Sequence, residues 1–159
     1  MTDNENLKLE SQLCFRLYSL TKLMNRHYSP VLKQLGLTYS QYLVMLVLWE
    51  NDSNNKTDTD DNDTVSSLSV KQLGEKLDLD SGTLSPLLKR MEKQLLLCRF
   101  RNSEDERSVE VKLTDLGCQL KSQAEDIPAQ MFSVTGMSLD ELNTLNVQLD
   151  RLLVTMKTT

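Results

Sequence analysis

Three cysteines, one histidine and five glycines leave this 159-residue chain poor in the residue types that build metal sites, phosphate loops and disulfide scaffolds. Cys14, Cys98 and Cys118 have no paired spacing, which excludes a disulfide framework and a four-ligand zinc site and points to a reducing compartment, the cytoplasm. His27 stands 13 residues beyond Cys14, too far along a helix to act on it locally, and receives no role. The sequence holds no Gly-rich phosphate loop, no nucleophile elbow and no paired catalytic carboxylates, so neither an enzyme nor a cofactor is expected. No apolar run approaches the length of a membrane span, and Met1 to Asn6 lack the basic and apolar regions of a secretory signal. With 39% hydrophobic residues, the chain suits one domain with a sizeable core.

What is present concentrates between Ser69 and Leu113. Ser69-Val70-Lys71-Gln72 reads as a capping box opening a short helix with Leu73 and Leu77 on one face. After a break at Asp78 to Ser81, with Asp80 or Ser81 as the cap, a second helix runs to about Gln94 and carries Leu84, Leu87, Leu88, Met91 and Leu95. Pro86 predicts a bend near Ser85-Pro86. Leu97 to Arg101 and Val109 to Leu113 alternate with period two about a polar tip, Asn102 to Ser108, so a hairpin follows the helices. Cys98 is expected on the inward face of its strand, opposite Arg99 and Arg101. Between Lys89 and Arg101 five cations face one carboxylate, in a chain of net charge -5. Such a local basic stripe binds phosphate despite an acidic total. The fold class implied is α+β, mostly α: a winged helix-turn-helix.

The termini read as helices. Residues 7 to 27 place Leu13, Leu17, Leu20 and Met24 on one stripe, with Cys14 and Tyr18 beside it. Behind a capping box from Ser138 to Glu141, residues Leu142, Leu145, Leu149, Leu152 and Met156 alternate spacings of three and four, a helix-pairing seam. Residues 51 to 64, NDSNNKTDTDDNDT, contain five Asp against one Lys and nothing apolar. They are expected to form a flexible acidic insertion, and the missing central Gly and terminal Glu exclude a calcium loop.

The string Leu79-Asp80-Ser81-Gly82-Thr83-Leu84-Ser85-Pro86-Leu87-Leu88-Lys89-Arg90-Met91, followed by Asp105-Glu106-Arg107-Ser108-Val109 and Leu113-Thr114, resembles the MarR family of dimeric repressors. Gln12-Leu13-Cys14-Phe15 with Tyr28, and Leu37-Thr38-Tyr39-Ser40-Gln41-Tyr42-Leu43, are similar to its organic-hydroperoxide-sensing branch. The likeness covers the chain except 51 to about 66 and both extreme ends. It implies one domain over 1–159, with residues 35–113 as the winged helix-turn-helix lobe and 1–34 and 114–159 as dimerisation helices of an intertwined homodimer. It also implies double-stranded DNA as partner, a pseudo-palindromic operator read by two recognition helices. Asp80, Ser81, Thr83 and Arg90 would lie at the major groove and Lys89 on phosphate. Arg107 would enter the minor groove, with Asp105 holding its guanidinium.

The same resemblance implies an oxidant sensor at Cys14. The residue's own helix offers it no cation at i±3 or i±4, and Glu10 one turn back opposes ionisation. By resemblance, the hydroxyls of Tyr28 and Tyr39 meet the sulfur from the partner subunit. Thr38 and Gln41 form a capping box that puts Tyr39 at a helix N-terminus, where an anion is favoured. Family members with two cysteines resolve the oxidised one from the other subunit. Their second cysteine corresponds here to the region of Ser133, and Cys118 is the alternative by exposure. A Cys14–Cys118 intersubunit disulfide and capping by a small thiol both stay open. Two competing functions stand beside the sensor: a repressor released by a small aromatic ligand between lobes, and a thiol peroxidase using Cys14.

Overall fold

The computed structural model describes residues 6–55, 66–103, 105 and 107–158. A 3-10 turn over Leu9–Ser11 precedes α1, Leu13–Gln34, so the first helix starts later than the periodicity predicts and runs seven residues further. Gln12, extended at φ -83° and ψ 120°, marks the start, and Pro30 inside the helix removes only one backbone bond. Gly36, left-handed at φ 68°, closes the end, with the Leu37 amide on the Leu32 carbonyl at 3.0 Å.

The Thr38 to Gln41 capping box forms as expected. The Thr38 amide donates to Gln41 Oε1 at 2.9 Å and the Gln41 amide to Thr38 Oγ1 at 3.4 Å. Helix α2, Tyr39–Asn55, therefore begins at Tyr39, and it continues through the first five residues of the segment expected to be a flexible insertion. Residues 56–64, the rest of that segment, lie outside the described residues. Asn51 Nδ2 donates to Ser66 Oγ at 2.7 Å, joining the two sides of the segment.

Strand β1, Leu68–Ser69, leads into α3, Val70–Leu77, through the Ser69–Gln72 capping box. Asp78 turns left-handed at φ 56°, and a Cβ on Gly74 would come 2.8 Å from the Leu79 carbonyl oxygen, so the tight turn needs glycine there. Helix α4, Ser81–Lys93, follows with Asp80 as cap and is continuous through Pro86. Strands β2, Leu97–Arg101, and β3, Val109–Leu113, form the hairpin, and the antiparallel sheet has the order β1-β3-β2.

Leu73, Leu84, Leu88, Met91, Leu97 and Val111 are at most 1% exposed and form the centre of this lobe with Val44 and Met45 of α2. The expected phase of β2 is corrected: Leu97 is its buried residue, so Cys98 is half-buried on the outer face beside Phe100. Lys112, opposite Cys98, holds its ammonium 5.8 Å from the Phe100 ring. Arg99 is the residue on the inner side, tolerated there because Glu92 pairs with it at 2.7 Å.

Helix α5, Asp115–Ala124, is capped by Thr114, whose Oγ1 accepts from the Gly117 amide at 3.1 Å. A Cβ on Gly117 would lie 2.1 Å from the Leu96 carbonyl oxygen, and Trp49 Nε1 donates to the Gly117 carbonyl at 2.9 Å. Helix α5 is thus fitted against the α4–β2 turn and α2. The chain divides into two compact units, Met1–Glu125 and Asp126–Thr159. The second unit contains α6, Ile127–Thr135, and α7, Leu139–Thr158, entered through the expected Ser138–Glu141 capping box. Helix α7 buries none of its residues. No single described helix is long and apolar enough to cross a membrane.

Candidate nucleic-acid interface and thiol site

Burial of Leu84, Leu87, Leu88 and Met91 turns the other side of α4 to solvent. That side presents Thr83, Pro86, Lys89, Arg90 and Lys93 at three- and four-residue spacing, with Asp80 and Ser81 exposed at its start. Asp80 Oδ2 accepts from Thr83 Oγ1 at 2.8 Å and Oδ1 from the Thr83 amide at 2.9 Å. The hydroxyl bond first, then the amide bond, hold the Asp80 carboxyl below its usual value. Two of the expected DNA-facing residues are therefore bonded to each other, and the Thr83 hydroxyl keeps lone pairs that can accept from a base edge.

The basic stripe is narrower than the sequence suggests. Arg99 Nη2 and Nε approach Glu92 Oε2 at 2.7 and 3.1 Å, and the Arg99 amide donates to Glu92 Oε1 at 3.1 Å. The Arg99 side chain, first by its hydrogen bonds, lowers the Glu92 pKa. Lys89, Arg90 and Lys93 on α4 and Arg101 on β2 remain exposed cations.

At the wing tip Asp105 and Arg107 are both exposed. Asp105 Oδ1 accepts from the Arg107 backbone amide at 3.0 Å, a contact that orders the loop between them. A cleft of about 250 Å³ separates the wing from the helices and is lined by Lys71, Ser85, Arg99, Arg107 and Ser108 among others. Lys71, which the sequence reading quoted only as part of a capping box, adds a cation at this cleft. Its signal was position: the second residue of α3, facing the same side as the wing.

Cys14 is the second residue of α1 and is exposed, whereas Cys118 is half-buried on α5; none of the three cysteines is in a disulfide. Tyr28 near the end of α1 and Tyr39 at the start of α2 come together with ring centroids 4.9 Å apart. Burial, and then the neighbouring Tyr39, push the Tyr28 phenol up from its ordinary value, which keeps it protonated as a donor. Cys14 is not with them in one chain: fourteen residues of α1 separate it from Tyr28, about 21 Å at about 1.5 Å per residue. Tyr42, 2% exposed, was not singled out by the sequence reading although it lies one turn beyond Tyr39. Its ring is 5.9 Å from Tyr28 and 6.4 Å from Trp49, so the tyrosines continue into the core. Beside Tyr39 a cleft of about 490 Å³ is lined by Asn25, Ser29, Lys33 and Thr38 with Leu32 and Leu37. Among the described residues no cluster of His, Cys, Asp and Glu has the makings of a metal site.

Comparison with known proteins agrees with this architecture. The family described as transcriptional regulator SarA/Rot matches residues 26–124. The organic hydroperoxide resistance transcriptional regulator of Bacillus subtilis is 44% identical, over 96% of this chain and 94% of its own length. Among solved structures, reduced AbfR bound to DNA is 33% identical and superposes with a TM-score of 0.72, covering 98% of this chain and 99% of that one. AbfR, from Staphylococcus epidermidis, is also known in a disulfide-formed state, 33% identical with a TM-score of 0.57 over 94% and 96% of the two chains. The matching family and the Bacillus subtilis relative are transcriptional regulators, and the AbfR structure, bound to DNA, shares the fold over 98% of this chain. The chain belongs to the SarA/Rot family of DNA-binding transcriptional regulators, built on the MarR-type winged helix.

Proposed function

We propose that the protein is a homodimeric cytoplasmic repressor that holds a pseudo-palindromic operator when reduced and releases it when Cys14 is oxidised. The observation that carries this reading is the Tyr28–Tyr39 pair, 4.9 Å between centroids, set about four helical turns from an exposed cysteine on the same helix. Only a second copy can deliver Cys14 to that pair, and the likeness to an organic hydroperoxide resistance regulator supplies the oxidant class.

The Cys14 thiolate attacks the terminal oxygen of a hydroperoxide and the O–O bond breaks, so that the sulfur is oxidised to a sulfenic acid and the alkoxide leaves as the alcohol after taking a proton from water. The Cys118 thiol of the other subunit then attacks that sulfur, forming a disulfide and releasing water. Likeness to a protein known in a disulfide-formed state supports this second step. On the DNA side, Asp80, Ser81, Thr83 and Arg90 face the major groove, Lys89 a phosphate, and Arg107 the minor groove beside Asp105.

The test is operator binding before and after one equivalent of organic hydroperoxide. Wild type is expected to release DNA and Cys14→Ser to stay bound. Tyr28→Phe and Tyr39→Phe, which keep the ring packing and remove one donor each, are expected to bind DNA normally but need more peroxide. Normal peroxide release by Cys14→Ser would end the proposal. The ligand-released alternative rests on the cleft beside Tyr39, and release by an aromatic carboxylate at unchanged thiol state would favour it.

A further inference from the structure

Among the described residues Glu110 is the one carboxylate that the lobe buries, 9% exposed on β3 between Ser69 of β1 and Phe100 of β2. A buried carboxylate needs compensation, and here the described partners are three neutral donors with no cation among them. Ser67 Oγ donates to Oε2 at 3.1 Å, Ser108 Oγ to Oε1 at 3.3 Å and Asn102 Nδ2 to Oε1 at 3.4 Å.

The three donors are not scattered. Asn102 and Ser108 are the two residues at the neck of the wing loop, closed by the Asn102 amide on the Ser108 carbonyl at 2.9 Å. Ser67 belongs to the segment entering the edge strand β1. From the neck the bonds continue outward: the Asp105 amide donates to Asn102 Oδ1 at 3.3 Å, and the Arg107 amide to Asp105 Oδ1 at 3.0 Å. One carboxylate at the loop end of the sheet thus anchors a chain of bonds that ends on the backbone of the arginine at the tip.

We infer that Glu110 is the positioning residue of the wing, fixing the loop neck to the sheet so that Arg107 is presented in one orientation to the minor groove. A loop of this kind loses backbone freedom on binding unless it is ordered beforehand, and preorganisation returns that loss as affinity. This inference rests on the reading of Arg107 as a minor-groove contact.

The experiment uses the full-length reduced protein and a duplex selected by the wild-type protein from a random-sequence library, titrated at fixed salt. Glu110→Leu removes the acceptor while keeping bulk, and binding is expected to weaken about tenfold, or 1.4 kcal/mol. Glu110→Gln keeps an acceptor oxygen for Asn102 and Ser108 and offers its amide to the Ser67 oxygen, so it is expected to bind within about twofold of wild type. In an Arg107→Ala background Glu110→Leu should add nothing. Asn102→Ala, which removes both the donor to Glu110 and the acceptor of the Asp105 amide and leaves the strands unaltered, should follow the same pattern if Glu110→Leu does not fold. An equal loss in both backgrounds, or Glu110→Gln as weak as Glu110→Leu, would overturn the inference. Arg107→Ala with unchanged affinity would instead overturn the wing contact on which it rests.

Discussion

Asp80 places a negative charge at the start of the helix proposed to face DNA, and its two bonds to Thr83 explain why it is tolerated there. The carboxylate satisfies an amide that the first helical turn leaves without a partner. Because bonding lowers its folded pKa, the stabilisation is complete above the ordinary value of 3.8 and is lost as pH falls through that value toward the lower folded one. Asp80→Asn, also a good cap, should therefore leave the melting temperature at neutral pH nearly unchanged and flatten its decline as pH falls below 3.8, read by thermal denaturation across pH. The exposed side of α4 was legible in the sequence because it is the complement of an apolar period of three and four. Arg99 and Glu110 were not, since alternation in a strand gives two faces without saying which one the core takes. The pairing of Tyr28 with Tyr39 came from resemblance, and the distance of both from Cys14 within one chain is visible only in the fold.

Three helix ends in this lobe are closed in the same manner, by a left-handed residue that lets an amide reach back five positions. Gly36 does so after α1, Asp78 after α3 and Leu95 after α4, with bonds of 3.0, 2.9 and 3.1 Å. Glycine takes that conformation without strain, whereas a leucine there costs about 1 to 2 kcal/mol. Leu95 is 66% exposed at φ 61° and packs little, so Leu95→Gly should raise stability by about 1 kcal/mol in chemical denaturation, the entropy of the unfolded glycine offsetting part of the gain. An unchanged or lowered midpoint would show that the Leu95 side chain contributes more than its exposure indicates. Capping boxes at Thr38, Ser69 and Ser138 made the starts of α2, α3 and α7 readable from sequence, because the signal is local. The ends were harder: α1 passes through Pro30, and α2 carries on into Asn51 to Asn55, where composition alone reads as loop. Packing of neighbouring elements, which composition does not record, decides such boundaries.

At the scale of the molecule, apolar side chains are left uncovered on both terminal helices. Leu13, Leu20 and Leu23 of α1 are 50 to 56% exposed, and Leu153, Val154 and Met156 of α7 are 55 to 70% exposed. Faces of this kind mark association surfaces, and a second copy is the occupant the proposed function requires. Leu153→Glu should leave the fold of the single chain intact, shift sedimentation from dimer to monomer, and weaken operator binding by about 100-fold as the second recognition helix is lost. A dimer that persists with unchanged affinity would move the interface elsewhere. One further feature of the whole molecule is Trp49. It is the only tryptophan, 4% exposed, with its indole N–H held by the Gly117 carbonyl one residue before Cys118 and the Tyr42 ring 6.4 Å away. The molecule therefore carries its single tryptophan fluorophore at the α2–α5 seam. Its emission wavelength and its sensitisation by tyrosine report, without any label, on whether that seam is closed.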